Sequence, residues 1–401
     1  MRTNLFKTTL PCLLAAALAT TGCDTVKNTF GKIKMPFTSD KAEQPVTSEP
    51  FGTAKLPDNQ EASATLWTLR NKNGLVAKVT DYGATLVEMH VPDKGGRFAD
   101  VVNGFDSVEG YQGEGNQYFG CTTGRVCNRI AKGKFTLNGQ EYQLAINNEP
   151  NHLHGGNERA LPRVMWKGAP FINREGQGIV FSYTSPDGEE GYPGTLVILV
   201  TYTLTHDDEL RIEYEAKLEG NDKSTPINLT NHAYWNLAGA GSGTVLNHVL
   251  TLNADKYTKT DDTLIPTGEI VDVEDTPLDF RTAHIIGERI PADDTPWKGY
   301  DHNFVVNGNP GEMRVAAILK DPSSGRVMTI STVEPGIQFY SGNFLNGQTG
   351  KKGKTYVHRG ALCLETQHFP DSVNHDDFPS TILRPGATYR TSTIHKFTVE
   401  E

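Results

Sequence analysis

No run of lysine and arginine in this chain of 401 residues is long enough to suggest a basic footprint, and its formal net charge is −10. A protein that grips nucleic acid by its phosphates needs a basic footprint, so that class is set aside. Cysteine is scarce too. Of the 5 cysteines, two fall within the first 23 residues. Cys121, Cys127 and Cys363 remain. Three make no disulfide framework, and their spacing fits no zinc ribbon. Buried or semi-buried free thiols are the expectation. No stretch has a long, clean helical period, and strands do not alternate with helices as in chains that build a parallel sheet. Glycine and proline are plentiful instead. The 40 Gly and 22 Pro are evenly scattered, which suits many short strands and turns.

The strands themselves are legible from about Ser63 onward. RIEYEAKL (211–218) alternates Ile212, Tyr214, Ala216 and Leu218 with charged residues. The preceding TLVILVTYTL joins it through polar THDDE, which predicts a hairpin. KFTLNGQEYQL (134–144) carries Asn138-Gly139 at its centre, the strongest short-range hairpin signal. GRVMTISTVEPGIQFYSG reads as two strands split by Pro335-Gly336. Antiparallel sheets packed face to face follow, as one large β-sandwich domain over residues 61–401.

The N-terminus differs from all this. Arg2 and Lys7 precede the short apolar run LPCLLAAALA and then TTGC, the pattern of a secretory signal, too short to span a bilayer comfortably. Gly22-Cys23 resembles a bacterial lipoprotein box, although Thr20 stands where that box usually has leucine. Residues 1–23 are therefore expected to be a signal peptide of lipoprotein type, with lipidation at Cys23. An ordinary signal peptide is the alternative. The expected location is exported, either periplasmic or membrane-anchored, in a bacterium. Residues 24–60 are polar and broken by Pro36, Pro45, Pro50 and Pro57, and read as a tether with no core.

Five polar clusters stand where strands or tight turns should be. GRVCNRIAKGKF carries Arg125, Asn128 and Arg129. NNEPNHLHGG carries His152 and His154, and INLTNHAYWNL carries Asn231, His232 and Tyr234. GYDHNFVV carries Asp301 and His302. In LCLETQHFPDSVN an apolar strand ends in Glu365, with Gln338 just upstream in GIQFYSGN. Burying an ionised carboxylate without a partner is expensive, so Glu365 calls for a reason. Each cluster has a bland reading: a surface ion pair for Arg125 or Arg129, a turn with exposed imidazoles for HLHGG, an asparagine-capped edge for NHAYW, an Asp turn for DHNF. Together they are the inventory of a carbohydrate site, where aromatic faces stack on a sugar and planar charged groups grip its hydroxyls. The competing reading is zinc held by His152 and His154 with Asp301 or His302. The Gly155-Gly156 turn breaks a regular strand there, and no HExxH-type pair exists elsewhere, so no metal is expected.

The stretches GRVCNRIAKGKFTLNGQEYQL, NHLHGG, NLTNHAYWNLAG, DHNFVV, PGIQFYSGNFL and LCLETQHFPDSVNHDDFPSTILRPG resemble the aldose 1-epimerase family, the galactose mutarotases. They run in family order from about residue 65 to the C-terminus. The resemblance implies an all-β fold, a large antiparallel β-sandwich of the galactose mutarotase-like supersandwich type. It also implies a free aldose as substrate and no cofactor. By position, Glu365 matches the family's general base and His232 its general acid. Asn128, Arg129, His154, Tyr234, Asp301 and Gln338 match sugar-binding residues. Two departures are small: Glu334 stands where the family often has a neutral residue, and Trp235 replaces the commoner phenylalanine. Three rivals remain at this point. A non-catalytic sugar-binding sandwich needs no acid–base pair. A hexose-6-phosphate 1-epimerase should show extra arginines aimed at a phosphate. A glycosidase needs two carboxylates about one bond.

Overall fold

The computed structural model describes residues 45–220, 223–292 and 298–401. The expected leader, Cys23 and the first part of the expected tether lie outside the described residues. Three antiparallel sheets carry the architecture. The N-terminal one holds Thr47–Leu56, Gln60–Arg70, Val76–Thr80, Thr85–Pro92 and Phe98–Asp100 in chain order. The central sheet has nine strands. Lys167–Asn173, Gly176–Ser185, Leu196–Thr205 and Glu209–Leu218 form a meander, which continues through Tyr389–Val399, Arg326–Thr332 and Arg314–Lys320. The third sheet places Asp301–Val305, Gly336–Tyr340 and Cys363–Gln367 side by side.

The expected hairpins are present. Leu196–Thr205 pairs antiparallel with Glu209–Leu218. Its first strand is buried throughout, while the second buries every other residue. That is the difference between a strand covered on both faces and one with a solvated face. Lys134–Leu137 pairs with Gln140–Gln143. Asn138 (φ 52°) and Gly139 (φ 79°) both take the left-handed backbone that a two-residue hairpin turn demands. Pro335-Gly336 separates two strands as expected, but they belong to different sheets: Arg326–Thr332 to the central one and Gly336–Tyr340 to the third. The turn is a crossover between layers.

One apolar cluster joins all three sheets. Leu69, Val79 and Met89 from the first meet Ile198, Val200 and Ile212 from the second, and Phe304, Ile337, Phe339 and Leu364 from the third. Burial of this kind of surface contributes roughly 25 cal/mol per Å² and is what holds the layers together.

One expectation needs correction. The tether was expected to run to residue 60, yet Thr47–Leu56 is a strand paired along its length with Gln60–Arg70. Only Phe51 and Ala54 of its ten residues are buried, so the alternation that marks a half-buried strand is weak. Pro50 sits at a register shift on an edge strand, where a missing N–H is tolerated. The described β domain therefore begins before residue 61, at the strand from Thr47.

Candidate active site

The third sheet explains why polar residues interrupt apolar strands. Asn303 lies opposite Gln338, and Gln338 lies opposite Glu365. Side chains alternate faces along a strand, so Asp301, Asn303, Gln338, Cys363 and Glu365 share one face. Phe304, Ile337, Phe339 and Leu364 point the other way, into the core. His302 also lies on the far side of its strand from Asp301.

Two turns bring the remaining groups to that polar face. Arg129–Ile130 pairs with His152–Leu153. The left-handed residues Asn128 (φ 56°) and His154 (φ 50°) lock together: His154 N–H donates to Asn128 O at 3.0 Å, and Asn128 N–H donates to His154 Nδ1 at 3.2 Å. The glycine after His154 is required, because a Cβ on Gly155 would lie 1.7 Å from the carbonyl oxygen of Gly124. His232 follows the short strand Thr230–Asn231 and is held by its own backbone: its N–H donates to Cys121 O, and its C=O accepts from Gly120 N–H, both at 2.9 Å.

The groups that meet are nearly dry. Glu365, His232, His154, Asp301, Gln338 and Tyr234 are all buried. His232 Nε2 lies 3.6 Å from Glu365 Oε1, and His232 Nδ1 lies 3.5 Å from Cys363 Sγ. Gln338 donates to Asp301 Oδ1 at 2.7 Å. Arg129 reaches Asp301 at 3.9 Å and donates to Asn148 at 3.1 Å. Tyr234 stacks on the His232 ring with centroids 5.2 Å apart. Among the described residues, Glu365 Oε2 and Gln338 Oε1 have no hydrogen-bond partner. Leaving such an atom unpaired costs about 1–3 kcal/mol, and both oxygens lie on the polar face of the site, where a bound hydroxyl would satisfy them.

Electrostatics set the protonation states. Burial pushes the Glu365 carboxyl well above its ordinary value of 4.5, the Asp301 charge adds to this, and Arg129 opposes it only in part. Burial also lowers His232 to about 4 and holds His154 well below its ordinary value of 6.5. Arg129 does not hold Glu365 ionised, because desolvation outweighs the guanidinium. Asp301 is likewise raised by burial, against Arg129 and Gln338. His154 has a fixed role. Its Nδ1 accepts a backbone N–H, so the neutral ring carries its proton on Nε2 and acts as a donor.

The site gathers Glu365, His232, Arg129, His154, Asp301 and Gln338, with Asn128 and Tyr234 behind them. Three sequence candidates fall elsewhere. Both nitrogens of His152 are engaged, Nδ1 with Ala145 O and Nε2 with the Tyr192 hydroxyl, each at 2.8 Å. With His302 on the far face, the zinc set of His152, His154 and His302 does not come together. His154, His232 and Glu365 do place donor atoms within 4.8 Å of one another, but the Nε2–H of neutral His154 is a donor and not a ligand. Among the described residues Arg125 pairs with no surface carboxylate. It is buried, and it donates to Ser185 and to the carbonyls of Pro186, Pro193 and Gly194. Glu334, the departure before Pro335-Gly336, bonds His368 at 2.6 Å and leaves Glu365 untouched. Sequence reasoning missed Cys363 and Tyr118. The register beside Glu365 points to the first, and an aromatic residue just before a tight glycine turn is the only signal for the second.

The family model for aldose 1-epimerase matches residues 65–396. The chain is 46% identical to the galactose mutarotase of Homo sapiens over 322 residues, which is 80% of this chain and 90% of that one. It is 36% identical to the aldose 1-epimerase of Escherichia coli (strain K12), covering 86% of this chain and 98% of that one. Among solved structures, an aldose epimerase homologue from C. elegans superposes with a TM-score of 0.76 at 34% identity, over 84% of this chain and all 100% of that one. A match spanning all three sheets and every element that carries the buried glutamate–histidine pair makes the chain a member of the aldose 1-epimerase family.

Proposed function

We propose that this protein interconverts the α and β anomers of free aldohexoses such as glucose and galactose. The observation that carries the reading is the buried pair of His232 Nε2 and Glu365 Oε1 at 3.6 Å, facing Asp301, Arg129, Gln338 and His154. Mutarotation needs this pair and no cofactor. Glu365 as carboxylate takes the proton from the anomeric hydroxyl. His232 gives its Nε2 proton to the ring oxygen as the C1–O5 bond breaks. Rotation about C1–C2 presents the other face of the aldehyde, and closure returns both protons, so none is consumed.

The shifted groups fit this cycle. The free pair carries one proton, which rests mostly on Glu365; its reactive tautomer has that proton on His232, and ring opening converts this carboxylate plus imidazolium into carboxylic acid plus neutral imidazole. Burial favours that second state in both groups, so the site pulls its proton in the direction of opening. A carboxylate with a raised pKa is also the stronger base. Asp301, Arg129, Gln338 and the Nε2–H of His154 are assigned to the sugar hydroxyls, Asn128 to fixing His154, and Tyr234 to supporting the His232 ring. Arg129 is engaged by Asp301 and Asn148, which leaves it poorly suited to the phosphate of a hexose 6-phosphate. The test is polarimetry on freshly dissolved α-D-glucose and α-D-galactose. The reading expects the purified protein to speed the drift to equilibrium rotation. A drift equal to buffer for both sugars would overturn it.

We also infer export and lipid anchoring through Cys23, from Arg2, Lys7, the apolar run and Gly22-Cys23. Expressed in a Gram-negative host, the wild type should partition with membranes, and Cys23→Ser should not be lipidated. The intact leader on a soluble cytosolic product would overturn this.

A further inference from the structure

Tyr118 takes no part in the mechanism above, yet the fold holds it in an unfavourable conformation at the site. Its φ is +62°, in the left-handed region that a bulky residue rarely enters. Such a backbone costs about 1–3 kcal/mol and persists only where the surroundings impose it. Here they do. Asn116 Oδ1 accepts Phe119 N–H at 3.0 Å, and the Asn116 amide donates to Tyr111 O at 2.6 Å. The Phe119 ring is buried against Tyr234 at 4.4 Å and Phe105 at 5.4 Å. With Phe119 anchored inward, the left-handed step turns Tyr118 towards the two imidazoles. Its ring centroid lies 4.6 Å from His154 and 5.9 Å from His232. Tyr118 is half-buried, and its hydroxyl has no hydrogen-bond partner among the described residues.

An aromatic ring that leans on two catalytic-site imidazoles and stays half-buried, with an unused hydroxyl at its tip, has the makings of a sugar platform. We propose that Tyr118 is a substrate-positioning residue, its ring covering His154 and His232 and packing on the C–H face of the bound aldose while its hydroxyl bonds one sugar hydroxyl. This rests on the aldose reading. The ring also shields His232 from water, which adds to the burial that keeps that imidazole neutral. The other groups facing His232 are Glu365 and Cys363 on their strand, His154 on its turn, Tyr234 beyond it, and Cys121, whose carbonyl takes the His232 N–H.

The test uses Tyr118→Phe, Tyr118→Ala and Tyr118→Asn, the last because asparagine tolerates the left-handed backbone and keeps the fold. In polarimetry the Ala and Asn variants should raise KM about tenfold, equivalent to roughly 1.4 kcal/mol, with a smaller fall in kcat. Phe should raise KM only about threefold, as loss of a single neutral hydrogen bond does. In the free protein, NMR titration of the imidazole protons should show His232 titrating higher in the Ala and Asn variants than in wild type. Unchanged KM in all three variants of an active enzyme would overturn the platform while leaving the aldose reading intact. A wild type without turnover would sink the aldose reading instead. The NMR titration would then decide the shielding role, an unmoved His232 overturning it.

Discussion

Glu365 faces His232, and one residue past the end of the same strand His368 faces Glu334. The two pairs use the same residue types and behave oppositely. His368 Nδ1 lies 2.6 Å from Glu334 Oε2, and the His368 side chain is 24% exposed. Burial lowers the His368 pKa, but the charge and hydrogen bond of Glu334 outweigh it and the net direction is up. His232 Nε2 lies 3.6 Å from Glu365 Oε1, with side chains only 7% and 3% exposed. There burial wins: His232 falls to about 4 and Glu365 rises well above 4.5. Direct contact and partial solvation make a structural ion pair. A slightly longer gap in a dry site makes a pair whose proton can move to a substrate lying against both groups.

The contrast breaks most visibly at Glu365. Glu365→Gln keeps the shape and removes the base, so kcat should fall by ~10²–10⁴-fold. The same variant should melt higher than wild type at neutral pH. A group with a raised folded pKa stabilises the fold below its unfolded value and loses that contribution as pH rises through the folded one. At neutral pH the wild type therefore carries a cost that the amide does not. Thermal unfolding and polarimetry on one preparation check both halves.

His232→Asn should lower kcat and kcat/KM together by about 10²-fold or more, with little change in KM, because the acid acts as charge develops on the ring oxygen. The pH profile sharpens the assignment. A bell-shaped profile would ordinarily give its alkaline limb to the histidine. Here the base has the higher pKa and the acid the lower, so the limbs exchange owners. The acid limb should fall near the His232 value of about 4, and the alkaline limb should belong to Glu365. In His232→Asn the alkaline fall should vanish and the residual rate should rise with pH to a plateau.

Arg129→Ala comes next. It should raise KM about tenfold, since a charge-assisted hydrogen bond to a hydroxyl is worth about 1.5–3 kcal/mol and is made in ground and transition states alike. The smallest effect on activity is expected at the other pair. Glu334→Gln should leave kcat close to wild type and cost about 1–3 kcal/mol of stability. That loss should be largest below pH 6.5, where the raised His368 contributes fully, and should fade as pH rises through its folded value. If Glu334→Gln abolishes turnover while leaving stability unchanged, the distinction between the pairs is lost.

Much of this was legible in the chain because it is written locally. The Asn138-Gly139 turn, the alternation of Arg211–Leu218 and the order of the six family stretches depend on neighbours in sequence, and the structure has all of them. The site residues could be named, but their surroundings could not. Whether Asp301 or His302 faces the pocket depends on strand register against Gly336–Tyr340, a partner about forty residues away. His152 turns to Tyr192, 40 residues on and past two strands of the central sheet, while His154, two residues on, turns to His232. The direction of the Glu365 shift is a balance of burial against one guanidinium, and no sequence spacing contains it. The strand Thr47–Leu56 was hidden for the reverse reason: it buries so little that its composition is that of a tether.

The central claim is that Glu365 is held protonated well above the ordinary carboxylate range while His232 stays neutral beside it. Infrared difference spectroscopy of wild type against Glu365→Gln, followed from acid to alkaline pH, reads that carboxyl directly through its C=O stretch. The account predicts a protonated-acid band that persists well above pH 4.5 and gives way to carboxylate bands only at the alkaline limb of kcat/KM. A band already lost by pH 4.5, with carboxylate absorption throughout the active range, would contradict it.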